Sequence, residues 1–545
     1  HLCAAIESIF AQSYANWELC IADDASQDTE LYGILERYRD ADPRVKFQLN
    51  SSQVGIAANS ARAISFATGD YLVFVDADDE LQSSALEAIA EEITRDTAPV
   101  MVYSDEDKIN QQSRRERPYF KPSISPELLL GKNHVTHLTA YHAGHFRKLG
   151  GLDSKFDGAQ DWEMVLRTIR SVEYPLEQIR HVPQVLYHWR ISDSSTAQDV
   201  NAKPYAIAAG MRAAREHLES IQVRAEVSVD KTTLRNIIRF PPLESETISI
   251  LVPSACQNDL ILKCINSILP GLKPRVFEIV VGIDHPSPDD SITEQLRDLS
   301  EHLPISVVHS ERRKDQPFNY STTMNRLAER ANHEFLILLN DDVHAKSDDW
   351  IDQLIGPLRI PNVAVSGAKL LYPDRTTQHN GVLLGVTGWA AHEYVGLPTD
   401  ARGYFDDALL LRNVSAVTAA CLATSRNLFQ ALNGFDAVNF PVAFNDTDFC
   451  LRVQENGLRV VVNPQCQLIH NESSTRDPDD SPARVQGFLG EAKALRDRWA
   501  NTLDADPYYS PNLSLEQHHL YEELPMFEHS LVRPTHPFHN FGTSR

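Results

Sequence analysis

The chain has 545 residues, which is too many for one hydrophobic core, so we expect two to four domains. Apolar residues make up 42% and charged residues 23% of the sequence, as in ordinary globular proteins. The net charge of −24 argues against nucleic acid or an anionic bilayer as the main partner. No apolar run approaches the ~18 residues of a membrane span, so any membrane association is expected to be peripheral.

The seven cysteines contain no CxxC pair. This pattern favours reduced thiols in a cytoplasm over a disulfide framework or a zinc site. The sequence does not begin with Met, and we expect it to start inside a longer chain.

In chain order, short apolar runs alternate with amphipathic patterns from the first residues onward. The runs "WELCIADD" and "YLVFVDADD" predict strands, and "LYGILERYRD" and "SSALEAIAEEIT" predict helices. This alternation predicts a mostly parallel sheet covered by helices. Ligands bind such sheets beyond the carboxyl ends of the strands, where Asp24, Asp78, Asp284 and Asp342 are expected.

The whole pattern occurs twice. Blocks of similar sequence recur in the same order at offsets of 259 to 285 residues, which predicts two copies of one domain. The matched pairs are Ile6 and Ile265, Asp24 and Asp284, Asp76 and Asn340, Asp78 and Asp342, Asp161 and Asp446, and His188 and His470.

The second copy begins with "TISILVPSA" at Thr247, a strand pattern whose counterpart would precede residue 1. The first domain as given is therefore expected to lack its opening strand. A polar, Pro-containing stretch near residues 239–247 marks the boundary. We predict domains at 1–240 and 241–502, followed by a tail at 503–545 that either docks onto them or is partly disordered.

Each copy ends one apolar run in clustered acids. Asp76 and Asp78 stand two residues apart, on one side of an extended chain, and "NDD" repeats the cluster with Asp341 and Asp342. Oxygen ligands of this kind suit Mg²⁺ or Mn²⁺ bridged to substrate phosphates. A solvated turn or helix cap is the alternative, and recurrence at the same place in both copies weakens it.

Two further pairs of residues recur later in each copy. Asp161 and Asp446 each fall in the first turn of a predicted helix, where they are either plain helix-terminal acids or general bases toward a hydroxyl. His188 and His470 each end an apolar run before a Ser/Thr cluster. They are either structural histidines or neutral imidazole ligands that complete a metal shell.

The motifs together resemble a known family. They are "WELCIADDAS", "GDYLVFVDADDEL", "YSDEDKI", "FDGAQDWEMVLR" and "VLYHWR" in the first copy, and "PFNYSTTMNRLAE", "FLILLNDDV", "GAKLLYPDRTTQHNGVLLG", "VTAACLATSR", "FNDTDFCLRV" and "IHNES" in the second. The chain is similar over nearly its whole length to family 2 glycosyltransferases of the GT-A fold. The closest similarity is to the tandem-domain type of bacterial O-antigen, capsule and rhamnan-like polysaccharide assembly.

The resemblance implies a role for each recurring residue. Asp24 and Asp284 would contact the nucleobase or ribose of a nucleotide-sugar donor. Asp76 and Asp341 would belong to the diphosphate motif, with Asp78 and Asp342 nearest a Mg²⁺ or Mn²⁺ ion. Asp161 and Asp446 would be the catalytic bases, and His188 and His470 the remaining metal ligands. Two departures are the absent first strand and Asn340, which stands in place of an Asp.

The implied reaction is transfer of a sugar to an acceptor hydroxyl in one displacement, with inversion at the anomeric carbon. The acceptor would be a lipid-linked or growing polysaccharide, met in the cytoplasm or at the inner face of the cell membrane. Two alternatives remain open. One copy could only bind polysaccharide or act as a scaffold, or the chain could be a nucleotidyltransferase, although no Gly-rich phosphate loop with a nearby Lys or Arg is visible in the sequence.

Overall fold

The computed structural model describes residues 1–110, 112, 114–191, 204–272, 275–309, 316–471 and 482–524. The Ser/Thr clusters after His188 and His470, and residues 525–545 of the predicted tail, lie outside the described residues. Within the described part of the chain, no helix combines the length and apolarity needed to cross a membrane.

The first half of the chain contains the elements of the first repeat. In order they are α1 (Leu2–Phe10), β1 (Leu19–Asp23), α2 (Thr29–Ala41), β2 (Val45–Leu49), α3 (Ile56–Ser65), β3 (Tyr71–Val73), β4 (Glu80–Leu81), α4 (Ala85–Thr94), β5 (Met101–Ile109), β6 (Arg115–Tyr119), α5 (Leu128–Gly131), β7 (Thr139–His142), α6 (Ala143–Lys148), α7 (Gln160–Arg170), α8 (Pro175–Gln178), β8 (Ile179–Arg190), α9 (Pro204–Ser220), β9 (Glu226–Val229) and β10 (Asn236–Arg239).

The second half repeats this order with insertions. Its elements are β11 (Thr247–Ser254), α10 (Leu260–Leu272), β12 (Val276–Ile283), α11 (Asp290–Ser300), β13 (Ile305–His309), α12 (Tyr320–Arg330), β14 (Phe335–Leu339), β15 (Val343–Ala345), α13 (Trp350–Ile355), β16 (Val363–Leu371), β17 (Thr377–His379), β18 (Val382–Leu384), β19 (Ala390–His392), β20 (Arg412–Asn413), β21 (Cys421–Ser425), α14 (Arg426–Ala431), α15 (Asn445–Glu455), β22 (Arg459–His470) and α16 (Pro482–Leu503).

One large sheet organises the second repeat. Its strands lie in the order β13-β12-β11-β14-β21-β16-β22-β15, with β17 beside β16 and β20 beside β22. Strands β11 and β14 are buried almost throughout, because apolar clusters pack on both faces of the sheet. Continuous apolar runs such as "FLILL" are what a strand covered on both faces requires.

The first repeat has the same order of elements but two separate sheets. Strands β1 and β2 pair only with each other, while β3-β7-β5-β8-β4 form a second sheet with β6 beside β5. In the second repeat, β11 joins these two parts by pairing with both β12 and β14. Among the described residues of the first repeat, no strand takes the place of β11.

The predicted helices and strands are confirmed, but the prediction of a mostly parallel sheet is wrong. Parallel pairs such as β11–β12 and β5–β8 stand beside antiparallel pairs such as β3–β7, β4–β8, β14–β21 and β15–β22. Helical crossovers explain the parallel pairs. Loops without a crossover helix lead directly into β7 and β21. Such loops allow the next strand to run antiparallel to its neighbour.

The two repeats pack closely through buried charge. The guanidinium of Arg459 donates to both carboxylate oxygens of Glu127, with Nη2 at 2.8 Å from Oε1, and Asn413 Nδ2 donates to Oε2 at 2.6 Å. Nearby, Lys132 Nζ lies 2.6 Å from Asp407 Oδ1. The side chain of Glu127 is 1% exposed, so its charge depends on these partners from the other repeat.

Residues 503–524 lie against both repeats. Asn512 Nδ2 donates to Asp105 Oδ2 at 3.2 Å, and Asp506 Oδ2 accepts from the backbone of Leu384 at 2.9 Å. Tyr521 stacks on Tyr394 and Tyr404. A cavity of about 530 Å³ opens between this segment and α4, and the acidic strand ends do not line it. This part of the predicted tail therefore forms part of the contact between the repeats.

The buried ion pair gives a test of the interface. We expect Arg459→Met to lower the free energy of unfolding by about 3–5 kcal/mol, because Glu127 would be left buried without its cation. Adding Glu127→Gln is expected to recover part of that loss. The control is Lys493→Met, which breaks an exposed pair with Asp497 and is expected to cost less than about 1 kcal/mol. Urea unfolding of the four proteins measures these differences, and equal losses in Arg459→Met and Lys493→Met would contradict the prediction.

Candidate functional site

The predicted acids lie where the strands end. Asp24 and Asp284 directly follow β1 and β12, whereas Asp78 lies between β3 and β4 and Asp342 lies between β14 and β15. The predicted position of these four carboxylates beyond the carboxyl ends of strands is therefore confirmed.

Asp24 and Asp284 both contact the helix that follows their strand pair. Asp24 Oδ1 accepts from the backbone of Val54 at 2.8 Å and Oδ2 from that of Gly55 at 3.1 Å, just before α3. The hydrogen bond from Val54 is the main reason why the pKa of Asp24 is lowered. Asp284 Oδ2 accepts from Thr323 Oγ1 of α12 at 2.8 Å. The two positions are thus equivalent in the fold, as the repeat predicts.

In the second repeat, two carboxylates are held side by side. Asp341 Oδ2 accepts from Ser254 Oγ at 2.6 Å, at the end of β11. Asp342 Oδ1 lies 3.1 Å from His470 Nε2, because β15 and β22 pair so that His470 stands opposite Val343. The structure therefore brings together Asp342 and His470, as predicted.

The other ring nitrogen of His470 fixes its tautomer. Nδ1 lies 2.7 Å from Gln378 Oε1, which can only accept a hydrogen bond, so Nδ1 carries the proton. Nε2 then faces the carboxylate of Asp342, and an imidazole oriented in this way by a second partner is typical of metal ligands. These residues fit a divalent cation.

No complete metal site is assembled by the protein alone. Within the described residues, no group of three or more His, Cys, Asp or Glu side chains is placed to hold a metal ion. Mg²⁺ and Mn²⁺ sites of few protein ligands are usually completed by waters and substrate phosphates.

The acids of the first repeat have different partners. Asp76 is 62% exposed at its side chain, and its backbone N–H donates to Tyr187 Oη at 3.1 Å. Tyr187 Oη in turn donates to Asp79 Oδ2 at 2.6 Å, and the backbone of Arg190 donates to Asp79 Oδ1 at 2.7 Å. Burial raises the pKa of Asp79 to about 6 despite these two donors. The backbone oxygen of Asp78 accepts from Arg190 Nε at 2.9 Å.

His188 does not reach this cluster. Its Nδ1 lies 2.7 Å from Asp107 Oδ1 and its Nε2 lies 3.4 Å from Gln82 Oε1. Strand pairing places His188 opposite Glu80, whereas His470 stands opposite Val343. Val343 is the counterpart of Asp79, because the acidic strand ends of the two repeats align at an offset of 264 residues. A shift of one residue turns a side chain to the other face of the strand.

The predicted equivalence of His188 and His470 is therefore wrong. The proposed metal ligands below therefore do not include His188.

The two helix acids occupy matching places. Asp161 lies in the first turn of α7, where its Oδ2 accepts from Asn133 Nδ2 at 3.0 Å. Asp446 lies in the first turn of α15, where its Oδ2 accepts from the backbone of Ala419 at 2.9 Å. Both donors belong to the loop that precedes β7 or β21. Burial raises the pKa of Asp161, and the nearby charge of His137 opposes that shift.

Sequence reasoning missed several residues that hold these acids, among them Ser254, Tyr187, Gln378 and His137. Gln378 stands inside the quoted motif "TTQHNGV", and Asp79 is the third acid of "DADD", so those two carried a signal. Ser254 and His137 are single residues with no pattern of their own, and only the packing of the strands brings them to the site.

Two family models match the chain, one on each repeat. The model described as "Glycosyl transferase family 2" matches residues 1–150, and the one described as "Glycosyltransferase like family 2" matches residues 245–522. With the α/β architecture described above, these matches confirm the predicted fold class, two tandem GT-A domains.

Two curated relatives align with most of the chain. "Uncharacterized protein y4gI" of Sinorhizobium fredii is 36% identical over 94% of this chain and 56% of its own length. "O-antigen biosynthesis protein RfbC" of Myxococcus xanthus is 32% identical over 94% of this chain and 39% of its own length. The chain thus spans about half of the first relative and about two fifths of the second. Among solved structures, GalNAc-T7 with UDP, GalNAc and Mn²⁺ is 13% identical, with 48% of this chain and 50% of that chain covered at a TM-score of 0.37.

The link between Tyr187 and Asp79 can be tested by removing one oxygen atom. We expect Tyr187→Phe to lower the free energy of unfolding by about 1–3 kcal/mol, because the buried carboxyl of Asp79 would lose one of its two donors. Tyr14→Phe, at a half-buried tyrosine outside the cluster, is expected to have almost no effect. Urea unfolding at pH 7 compares the variants, and equal stability of Tyr187→Phe and the parent protein would contradict the prediction.

Proposed function

Because the chain belongs to the family 2 glycosyltransferases, we propose that it moves sugars from nucleotide-sugar donors to hydroxyls of a growing cell-surface polysaccharide. We also propose two active sites, one in residues 1–240 and one in residues 241–502, with 503–545 as a tail. The observation that supports this best is that the two repeats have the same arrangement. Each has carboxylates after a strand, and each has an acid in the first turn of a helix that accepts a hydrogen bond from the loop before β7 or β21.

The donor would lie across the strand ends. Asp24 and Asp284 would bind its nucleobase or ribose, and Asp76 and Asp341 its diphosphate side. A Mg²⁺ or Mn²⁺ ion held by Asp342 and His470, and by Asp78 in the first repeat, would supply positive charge against the diphosphate leaving group. The contact of 3.1 Å between Asp342 Oδ1 and His470 Nε2 supports this assignment for the second repeat.

The acceptor would approach from the side of the helix acids. Asp161 or Asp446, as a carboxylate, would take the proton from an acceptor hydroxyl while that oxygen bonds to the anomeric carbon. The bond to the diphosphate breaks on the opposite face, so the configuration inverts in one displacement. Asn133 and the backbone of Ala419 would hold the two bases in position by donating to one oxygen each.

The name of one relative bears on the proposed acceptor and location. One relative is named an O-antigen biosynthesis protein, which supports a lipid-linked or polysaccharide acceptor. An enzyme acting on such an acceptor would work in the cytoplasm, with peripheral contact to the inner face of the cell membrane.

Loss of each base tests the two-site proposal. We expect Asp161→Asn and Asp446→Asn to remove two different glycosidic linkages, each by roughly 10²–10⁴ in rate, with donor binding nearly unchanged. Linkage analysis of products made on one acceptor measures the first effect and calorimetric donor titration the second. In the same assay, EDTA is expected to stop both reactions and Mn²⁺ to restore them.

The matched control is Asp497→Asn, an exposed acid on α16, which is expected to keep both linkages. A base variant that still makes every linkage at the normal rate would show that its domain is a binding module. Full activity in EDTA would contradict the cation assignment.

The raised pKa of Asp161 gives a pH prediction for the first site. A general base works only when ionised, so activity is present above the pKa of the folded protein and lost as pH falls through it. Because burial raises this pKa above the ordinary Asp value of 3.8, the acid limb of kcat/KM should lie above pH 3.8. Measurement between pH 4 and 8 in the Asp446→Asn background isolates the first site.

Asn133→Ala provides the matched variant for this profile. It removes the amide that stabilises the carboxylate, so the acid limb should move to still higher pH. An acid limb below pH 3.8, or no movement in Asn133→Ala, would contradict the assignment of Asp161 as the base.

A further inference from the structure

A histidine that the recurring motifs do not include lies beside the acids of the first repeat. His137 belongs to the loop before β7, and its Nε2 is 3.9 Å from Asp76 Oδ2. It also interacts electrostatically with Asp161, the proposed base. His137 therefore lies close to both ends of the proposed reaction.

The ring of His137 is fixed in orientation. It stacks on Tyr187 with 4.6 Å between ring centroids and meets the edge of Trp189 at 5.6 Å. Its backbone N–H donates to Glu106 Oε2 at 3.2 Å, and its backbone oxygen accepts from buried Lys121. The position of the ring edge is thus set by packing before any ligand binds.

The surroundings of the ring indicate which of its nitrogens can donate to a ligand. Nδ1 is buried and has no hydrogen-bond partner among the described residues. With no acceptor beside Nδ1, the ring nitrogen placed to donate to a ligand is Nε2, which lies on the side of Asp76. At 3.9 Å from Asp76, this N–H is too distant for a direct hydrogen bond.

In the described part of the second repeat, the position that matches His137 is not a histidine. Tyr71 pairs with His142 in the first repeat, and the corresponding Phe335 pairs with Ser425 in the second. Five residues before His142 is His137, and five residues before Ser425 is Ala420. The histidine beside the acids is there His470, whose Nδ1 lies 2.7 Å from Gln378 Oε1, so that its Nε2 faces Asp342.

We propose that His137 is a donor-binding residue of the first repeat, whose Nε2–H donates a hydrogen bond to an oxygen of the nucleotide-sugar diphosphate. This inference rests on the proposed function. The two repeats would then use the Nε2 atom of an imidazole in opposite roles. His470 would offer a lone pair to the cation, and His137 a proton to the oxyanion.

The chemistry of the cluster supports an oxyanion as the partner. Asp76, Asp78 and Asp79 supply only carboxylate oxygens to this strand end, and such oxygens repel a phosphate. An N–H donor fixed beside these carboxylates offsets that repulsion at one phosphate oxygen. In the second repeat the counterpart of Asp79 is the apolar Val343. That site therefore has fewer carboxylates whose repulsion of a phosphate must be offset.

The test separates diphosphate from monophosphate binding. In the full chain carrying Asp342→Asn, which weakens the second site, UDP, GDP and dTDP are titrated by calorimetry with Mn²⁺ present. The nucleotide that binds is then compared with its monophosphate. We expect His137→Ala to weaken diphosphate binding roughly 10- to 100-fold and to leave monophosphate binding unchanged.

Two further variants guard against a merely structural effect. His137→Phe keeps an aromatic ring on Tyr187 but cannot donate, so it should lose the same affinity as His137→Ala. His137→Gln keeps an N–H donor and should recover part of it. His145→Gln, on α6 of the same repeat, where the ring Nε2 lies 2.8 Å from Ser171 Oγ, should leave both affinities unchanged.

Unchanged diphosphate affinity in the Phe variant would overturn the proposal, as would equal losses for the diphosphate and the monophosphate. Binding of none of the three nucleotides by the parent protein would overturn it too. The linkage assay with Asp161→Asn does not depend on His137, so it shows separately whether the transferase function stands.

Discussion

The structure depends on keeping negative charge at the ends of its strands. Carboxylates brought together repel, and three of those at the strand ends are each held by specific donors. Asp24 is bound by the backbone before α3, Asp284 by Thr323 and Asp341 by Ser254. These donors come from neighbouring strands and helices, so the sheet must be assembled before the acids can be tolerated. In the proposed function, the same acids attract a cation and, through it, a diphosphate.

The two repeats meet this constraint differently. In the second repeat, a continuous sheet through β11 supplies Ser254, and β22 supplies His470. In the first, Tyr187 and the backbone of Arg190 hold Asp79, and the loop before β7 brings in His137. Equivalent elements therefore carry unlike side chains to the same edge. Because Asp161 and Asp446 accept hydrogen bonds from that same loop in both repeats, a change in the loop would alter the proposed acceptor and donor sides together.

The sequence predicted most of what is local or repeated. The strand after Thr247, the helices around Asp161 and Asp446 and the place of the acids all follow from apolar periodicity and from comparison of the two copies. The direction of the strands could not be predicted from the sequence. The order of strands and helices does not show whether β7 and β21 run parallel or antiparallel to their neighbours. His188 shows a second limit. Sequence similarity aligned it with His470, yet a one-residue difference in strand register turns it toward Asp107. Register depends on pairing with a distant strand, and a single copy of the motif does not contain that information.

The buried contact between the repeats bears on how the two sites can work together. Glu127 and Arg459 are joined across the interface, and Asn413 and Ser125 complete the same network. A buried charge pair tolerates little sliding, since separation would leave an uncompensated ion in the interior. Residues 503–524 add contacts to both repeats, including the bond from Asn512 to Asp105. The two strand edges are therefore held at a fixed spacing. In the proposed two-site enzyme, the product of one site would have to travel to the other, because the repeats cannot swing toward each other without breaking this network.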